Sequence, residues 1–165
     1  MKRALDVDDV LAGFVPHAYN WFGKELKKVN YWDVPTMEVE LGEGWFNKIA
    51  NEEKFWSTLP VLSHPRDINF DFDYYLTSFP IQMLHLREKW LKEHGFPNKD
   101  IVVANDKLKA CKELGVGVLI DDKPATIQSL QDSEIKGIHF INHYAGFDMV
   151  GDRIVTHLSQ VVEFL

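Results

Sequence analysis

Residues 3–11 read Arg3-Ala4-Leu5-Asp6-Val7-Asp8-Asp9-Val10-Leu11, a short apolar strand that runs into three carboxylates. Like charges crowded at the end of a strand repel one another, so ionising all three together is unfavourable. A bound Mg²⁺ reverses that cost, because it is a hard cation that takes oxygen ligands. The stretch therefore predicts a buried strand with a Mg²⁺ site at its carboxyl end.

Three later segments repeat the pattern of an apolar run that ends in polar side chains. The polar groups that end these runs are Thr77-Ser78, Asn105-Asp106-Lys107 and Asp121-Asp122. In parallel α/β sheets, ligands bind outside the carboxyl ends of the strands. Four such strand ends together indicate a metal-assisted phosphoryl-transfer site at the carboxyl edge of a sheet.

The apolar runs alternate with helical patterns along the chain. Strands are predicted at residues 3–7, 74–77, 101–104, 116–120 and 137–142, and helices at 80–94, 107–114, 124–130 and 158–165. Short apolar runs are typical of parallel strands that are covered on both faces. The alternation predicts an α/β fold with a doubly wound parallel sheet and right-handed crossovers.

One long segment interrupts the alternation, because more than sixty residues separate the first strand from Tyr74. Residues 14–26 and 44–55 have helical patterns, and the segment is rich in aromatic residues: Trp21, Phe22, Tyr31, Trp32, Trp45, Phe46, Phe55 and Trp56. Most of these rings are predicted to form the core of a small helical subdomain. Phe14 and Trp56, nearest the two junctions with the sheet, are the candidates to face the acidic cluster and stack on a substrate ring.

The composition is that of an ordinary globular chain. It has 165 residues, 45% of them apolar and 26% charged, enough for one domain with a small appended subdomain. The net charge of −7 argues against binding to a nucleic-acid polymer, which favours basic surfaces. A single cysteine, Cys111, is expected in the core, and it fits a reducing compartment. With no signal peptide and no membrane-spanning run expected, we predict a cytoplasmic protein.

Asp6 and Asp8 have the spacing needed for paired carboxylate chemistry. One carboxylate can attack phosphorus and form an aspartyl phosphate, while the second protonates the leaving alkoxide and later deprotonates water. The alternative is a solvated loop that carries negative charges. Thr77 and Ser78 precede a predicted helix, where backbone N–H groups favour anions, but Ser78 could equally serve as an N-cap. Lys107 begins a helix, where the helix dipole disfavours a cation. A nearby anion would remove that penalty.

In this order the motifs resemble those of the haloacid dehalogenase superfamily of phosphotransferases. The matching motifs are Asp6-Val7-Asp8-Asp9-Val10, Leu76-Thr77, Lys107 and Leu119-Ile120-Asp121-Asp122. The resemblance implies a Rossmann-like sheet with a helical cap inserted after the first strand. We accordingly predict a catalytic core at residues 1–13 and 61–165 and a cap at residues 14–60.

Within the superfamily, the chain is most similar to the 5′(3′)-deoxyribonucleotidases. This similarity rests on residues 6–14, on Phe55-Trp56-Ser57-Thr58-Leu59-Pro60, on Leu76-Thr77-Ser78, and on residues 119–124. It implies that Phe14 lines a base pocket and that Thr77 and Ser78 bind phosphate. The chain differs from the family at three positions: Asp9 stands where glycine is usual, Phe79 is inserted before Pro80, and Asn105 replaces a common arginine.

Together these observations predict a Mg²⁺-dependent phosphomonoesterase acting on nucleoside monophosphates. Its catalytic residues are Asp6, Asp8, Thr77 and Lys107, and its substrate-binding residues are Phe14, Trp56 and Ser78. The metal ligands are predicted to be Asp6, the backbone carbonyl of Asp8, and Asp122 or Asp121. The oligomeric state is left open, with a homodimer as one alternative.

Three other functions compete with this prediction. The first is a related phosphatase for another small phosphorylated metabolite, in which the cap rings are only structural. The second is a signalling receiver domain, which also combines acids, Thr/Ser, Lys and Mg²⁺ on a parallel sheet. In receivers, however, the acidic pair precedes the phosphoacceptor strand, whereas here the Asp6–Asp8 motif comes first. The third is a non-catalytic phosphate-binding relative, which the presence of every expected polar residue disfavours.

Overall fold

Short parallel strands build a single six-stranded sheet in the residues described by the computed structural model, which are 1–27, 34–146 and 149–165. The strands are β1 (Lys2–Leu5), β2 (Tyr74–Thr77), β3 (Asp100–Val103), β4 (Val116–Asp121), β5 (Lys136–Phe140) and β6 (Ile154–Val155). Their order across the sheet is β3-β2-β1-β4-β5-β6, and all five pairings are parallel. The order reverses between β1 and β4, which makes their carboxyl ends the switch point of a doubly wound fold.

The five predicted strands are present, with small shifts at their ends. The first strand ends at Leu5 rather than at residue 7, because the chain turns sharply there: the Val7 carbonyl accepts the N–H groups of Val10, Leu11 and Ala12. β6 was not predicted. It has two residues and lies at the sheet edge against β5, so its sequence carries too little alternation to be recognised.

Helices follow the strands of the second half of the chain. They are α5 (Leu84–Glu93), α6 (Lys107–Leu114) and α7 (Pro124–Leu130), of which α6 and α7 have the predicted bounds. The helix predicted at 80–94 begins as a 3₁₀ turn, Ile81–Met83, and continues as α5. The segment Leu158–Phe164 is a 3₁₀ helix.

In the described part of the segment between β1 and β2 there are four α-helices: α1 (Phe14–Trp21), α2 (Val34–Leu41), α3 (Trp45–Ile49) and α4 (Glu53–Ser57). The helix predicted at 14–26 stops early, because Gly23 takes a left-handed conformation and the Lys24 N–H turns back to the Tyr19 carbonyl. The helix predicted at 44–55 is two short helices. α2 was not predicted. Tyr31 and Trp32 lie outside the described residues.

The helical segment leaves the sheet and returns to it at adjacent points. The Gly13 N–H donates to the Pro60 carbonyl over 2.9 Å, and the Leu62 N–H donates to the Leu11 carbonyl over 2.7 Å. The chain is therefore α/β with a helical insertion after the first strand, as predicted. The division into two domains at residues 13 and 60 stays a prediction.

Apolar side chains cover both faces of the sheet. On β4, Ile120 belongs to the larger cluster, whereas Leu119 belongs to a second cluster with Cys111 of α6. The larger cluster includes Trp45, Phe55 and Trp56 of the inserted helices, but Trp21 and Phe46, which were predicted with them, are exposed. Cys111 is fully buried, as expected of a core residue. Burial of this kind stabilises the sheet by roughly 1.5–3 kcal/mol for each large side chain. The strand ends are thus held on a rigid support.

Candidate active site

The acidic residues of the sequence motifs meet at the switch point of the sheet. Asp6 follows β1 directly, and its N–H donates to the Ile120 carbonyl of β4 over 3.0 Å. Asp121 is the last residue of β4, and Asp122 follows it. Because β1 and β4 are neighbours in register, the loops that leave them converge on one point.

Three carboxylates form a tight cluster there. One oxygen each from Asp6, Asp121 and Asp122 lie within 4.8 Å of one another, and all three residues are buried. Burial raises the pKa of Asp6 to about 7, although Lys107 favours its ionised form. Burial, together with Asp9 and Asp121, raises the pKa of Asp122 well above its ordinary value. These buried carboxylates are unfavourable to ionise together. A hard divalent cation such as Mg²⁺, which takes oxygen ligands, would offset that cost.

Lys107 lies among these carboxylates at the start of α6. Its Nζ atom is 2.9 Å from Asp6 Oδ1 and 2.5 Å from Asp121 Oδ2. Burial lowers the pKa of the Lys107 ammonium, but Asp121 and Asp6 outweigh that effect, and the net pKa is raised. A lysine in the first turn of a helix is therefore explained by the anions beside it, as the sequence indicated.

The two adjacent acids of β4 have different surroundings. Both oxygens of Asp121 accept hydrogen bonds, Oδ2 from Lys107 and Oδ1 from the backbone N–H of Lys123 at 2.8 Å. The backbone carbonyl of Asp122 is hydrogen-bonded to the side chain of His139 in β5. Val150 N–H donates to Nδ1 of His139, which assigns the ring proton to Nε2, and Nε2 donates to the Asp122 carbonyl over 3.0 Å. Both oxygens of Asp121 are thus engaged by Lys107 and by the Lys123 N–H, and the backbone of Asp122 is held by His139.

Thr77 and Ser78 follow β2, next to β1. Thr77 is fully buried, and within the residues that the structure describes its hydroxyl has no hydrogen-bond partner. Ser78 is exposed, and its hydroxyl donates to the Ala104 carbonyl over 2.6 Å. The alternative of an N-cap role for Ser78 is wrong, because the 3₁₀ turn that precedes α5 is capped by Pro80.

Asp8 has a partner that the sequence analysis missed. Arg87 of α5 donates from Nη2 to both carboxylate oxygens of Asp8, each at 2.8 Å. Arg87 is 3% exposed, and its guanidinium lies 4.7 Å from the ring centre of Phe79. The sequence did contain a signal. Arg87 interrupts the buried stripe of α5 that Met83, Trp90 and Leu91 form, and a charge on such a stripe needs a buried partner.

Asp9 is the other acid whose environment was not foreseen. Its φ of 62° lies in the left-handed region, which explains why glycine is usual at this position in the family it resembles. The Asp9 carboxylate accepts hydrogen bonds from the Tyr144 hydroxyl and from the Val15 N–H. Burial raises the pKa of Asp9 to about 8, against these two hydrogen bonds, which favour the ionised form. Asp9 therefore ties the acidic loop to the start of α1 and to the loop that follows β5.

A cavity of about 490 Å³ opens onto the cluster. Of the predicted site residues, Asp6, Asp8, Phe14, Trp56, Ser78 and Lys107 line it, while Thr77, Asp121 and Asp122 are completely buried. Five aromatic residues form an aromatic wall in the lining: Phe14, Trp45, Phe46, Trp56 and Phe79. Gln82, Asn105, Lys123 and Thr126 add polar groups to the lining. Volumes of this order are typical of small-molecule sites.

The two rings singled out from the sequence lie together on that wall. Phe14 and Trp56 are stacked, with centroids 5.7 Å apart and planes at 19°. The indole N–H of Trp56 donates to the Ile49 carbonyl over 2.9 Å, which fixes the ring. Both side chains are also mostly buried against their neighbours, so each has a packing role besides any contact with a ligand. Their role in substrate binding stays a prediction.

Sequence comparison finds a distant similarity to a protein of known name. No family model matches the chain. The chain is 27% identical over 153 residues to a Bacillus cereus protein named "Putative nucleotidase", and the alignment covers 79% of this chain and 80% of that protein. Separately, none of the helices in the described part of the chain is long and apolar enough to cross a membrane.

Proposed function

We propose that the protein is a Mg²⁺-dependent phosphomonoesterase that hydrolyses deoxyribo- or ribonucleoside monophosphates through an aspartyl-phosphate intermediate. The observation that carries the proposal is the composition of one cavity. A carboxylate pair, Asp6 and Asp8, lines it together with Lys107 and Ser78, and aromatic rings line the same cavity. The name of the similar Bacillus cereus protein supports the same class of activity.

In the first half of the proposed reaction, Asp6 attacks the phosphorus atom of the ester. A bond forms between a carboxylate oxygen of Asp6 and phosphorus, and the bond from phosphorus to the ester oxygen breaks. Asp8 in its protonated form transfers its proton to that departing oxygen. The alcohol leaves, and Asp8 remains as a carboxylate beside the phosphorylated Asp6.

In the second half, Asp8 takes a proton from a water molecule as the water oxygen attacks phosphorus. The acyl–phosphate bond breaks, which releases inorganic phosphate, regenerates the Asp6 carboxylate and returns the proton to Asp8. The same side chain thus acts as acid and then as base. This requires Asp8 to stay within reach of the phosphoryl group through both steps.

The cations and donors around Asp6 would stabilise the charge that the phosphoryl oxygens carry. The Lys107 ammonium lies 2.9 Å from the Asp6 carboxylate, so it would be next to the oxygens of a phosphoryl group that binds to Asp6. Thr77 and Ser78 add backbone N–H donors at the end of the neighbouring strand, and the Ser78 hydroxyl would have to leave the Ala104 carbonyl to join them. Fixed charges in a buried site interact with the reacting group at little reorganisation cost, which is the main source of catalysis in phosphoryl transfer.

The carboxylate cluster fits the proposed Mg²⁺. Asp6, the backbone carbonyl of Asp8 and Asp122 would hold the ion, because Asp121 is committed to Lys107 and to the Lys123 N–H. When bound, the ion would supply positive charge to the phosphoryl oxygens and offset repulsion between the substrate and the carboxylates. These ligands are all oxygen atoms, as Mg²⁺ prefers.

The aromatic wall suggests a substrate with a planar ring attached to the phosphate. Phe14 and Trp56 are held in a stack, and Phe79 lies 6.0 Å from Trp56, edge-on to it. Nucleobases stack on such rings with roughly 1–3 kcal/mol per base. Among small phosphate esters, a nucleoside monophosphate therefore fits the cavity best.

A phosphate-release assay would test the proposal directly. The purified chain is incubated with deoxyribonucleotides, ribonucleotides, sugar phosphates and an aryl phosphate, with Mg²⁺ and with a chelator. We expect release from nucleoside monophosphates, loss of release on chelation, and slower release from sugar phosphates. Preference for a sugar phosphate would replace the nucleotidase by a phosphatase of another metabolite. No release from any ester would leave only a phosphate-binding role.

A further inference from the structure

The Asp8–Arg87 ion pair is built into the wall of the cavity rather than onto the surface. Nη2 of Arg87 donates to both oxygens of Asp8 at 2.8 Å, and the two side chains are 2% and 11% exposed. We propose that Arg87 is a positioning residue, which fixes the Asp8 carboxylate in the place from which it exchanges protons with the leaving group and with water. This inference rests on the proposed function.

The cost of burying Arg87 indicates a role beyond packing. It lies on the buried stripe of α5 between Met83 and Trp90, where an apolar side chain would pack without loss of hydration. Replacing a buried ion pair by apolar residues is often neutral or stabilising, so such a pair is weak evidence for stability alone. In the described part of the chain Nη1 has no hydrogen-bond partner, and this unpaired donor adds to the cost.

The geometry shows what the pair achieves. Asp8 follows β1 on a loop, and a loop side chain with two free torsions would otherwise sample several orientations. One nitrogen that contacts both oxygens holds the carboxylate close to a single position. Proton transfer requires a heavy-atom separation of roughly 2.6–3.2 Å. With one oxygen of Asp8 held by Nη2 of Arg87, the other oxygen would carry the proton in the first half of the reaction and accept one in the second.

Arg87 also links the acid to the aromatic wall. Its guanidinium carbon lies 4.7 Å from the Phe79 ring centre and 5.9 Å from the Trp56 ring centre. Cations near the faces of aromatic rings are attracted to them, and the attraction grows when water is excluded. The rings that would contact a substrate base therefore also hold the cation that positions the acid. The position of Asp8 is set relative to the wall as well as to the sheet.

The test is a double-mutant cycle between R87M and D8N, measured on a nucleoside monophosphate and on an activated aryl phosphate with Mg²⁺ present. We expect R87M to lower kcat for the nucleotide by about ten-fold or more with little change in KM, and to affect the aryl phosphate less, because a good leaving group needs little protonation. The double variant should be no slower than D8N alone. R87K, which keeps the charge but not the planar guanidinium that lies 4.7 Å from the Phe79 ring centre, should be intermediate.

Control variants separate this role from a structural one. R153M makes the same chemical change at an exposed arginine paired with Asp152 and should leave both activities unchanged. If R87M does not fold, R87K carries the comparison, and its kcat for the nucleotide should fall more than its kcat for the aryl phosphate. Equal losses on both substrates, or losses in R87M and D8N that multiply, would overturn the inference. A parent chain inactive on every ester would overturn the proposed function and, with it, this role for Arg87.

Discussion

Nζ of Lys107 lies 2.9 Å from Oδ1 of Asp6, although the two residues come from distant parts of the chain. Asp6 follows the central strand β1, whereas Lys107 begins the helix that follows the outer strand β3. The contact places a buried ammonium directly beside the carboxylate that would attack phosphorus. Any phosphoryl group transferred to Asp6 would therefore arrive next to a positive charge.

The first prediction concerns Asp6 itself. D6N should abolish turnover, because an amide cannot form the acyl phosphate. The fold should persist, since Lys107 keeps its contact with Asp121 at 2.5 Å. Phosphate release and thermal unfolding of the same preparation check both statements. In the parent chain, a fluoroberyllate mimic should give electron density attached to the Asp6 carboxylate. Appreciable turnover by D6N that is free of contaminating phosphatase would sink the mechanism.

The second prediction concerns the acid. D8N should slow nucleotide hydrolysis by roughly 10²–10⁴-fold, the usual contribution of general acid–base catalysis. Hydrolysis of an activated aryl phosphate should suffer much less, because its leaving group departs without a proton. Steady-state kinetics on the two substrates give the comparison. Equal losses would leave Asp8 with only a structural or metal-positioning role.

The third prediction concerns substrate choice. F14A should lower kcat/KM for nucleoside monophosphates by about ten-fold, because it removes one ring from the stack with Trp56. A small aryl phosphate should be nearly unaffected. F70A removes a partly buried ring that packs near Phe72, and it serves as the matched control. If F14A instead loses stability and loses activity equally on every substrate, then Phe14 is a packing residue.

The fourth prediction concerns the ion. Mg²⁺ should raise the Tm of the parent chain, because a ligand that binds only the folded state stabilises it by mass action. D122N should remove this increase, since it takes away a ligand without disturbing the Lys107–Asp121 pair. D132N, at an exposed acid on the other side of α7, should keep the full increase. An unchanged Mg²⁺ response in D122N would exclude Asp122 as a ligand.

The fifth prediction concerns pH in the absence of divalent ions. Burial raises the pKa of Asp9 to about 8 and that of Asp6 to about 7, both well above the value of 3.8 for an unperturbed aspartate. At these two sites the folded state therefore binds more protons than the unfolded state between pH 4 and about 8, and their contribution to stability falls as the pH rises through this window. Burial lowers the pKa of His17 and His139, so these two groups act in the opposite direction below their ordinary pKa of 6.5.

Thermal unfolding of the metal-free chain at pH 5, 6, 7 and 8 measures this slope. D9N should flatten it, because asparagine does not titrate and tolerates the left-handed backbone that Asp9 adopts. D71N changes an exposed aspartate whose pKa is lowered by Lys99, so it should leave the slope at pH 5–8 in place. A slope that is the same in D9N and in the parent chain would contradict the protonation of Asp9 in the folded state.

Much of the sheet could be predicted because its strands are short apolar runs that end in polar residues. β2 has the predicted bounds, and the order of the motifs places their polar ends at one edge. Local sequence patterns do not reveal an element whose structure is decided by long-range contacts. β6, for example, is defined only by its pairing with β5.

In the candidate site, too, local patterns predict some residues, and long-range contacts decide the others. Asp6, Lys107 and the pair at the end of β4 could be named from local motifs, because each follows an apolar run. The Asp8–Arg87 contact joins residues 79 positions apart, and no local pattern gives its partner. Asp9 was visible only as a departure from a family glycine. Its hydrogen bond to Tyr144 depends on how the loop after β5 folds back.

The hydrogen bond between Gly13 and Pro60 has an evolutionary consequence. Because the inserted helices begin and end at neighbouring points, the length and content of the insertion can change while the ends of β1 and β4 stay in place. The rings that would select a substrate lie largely on this insertion, whereas the acids that would react with phosphate lie on the sheet. Related chains can therefore acquire new substrates by exchanging one module and keep their chemistry intact.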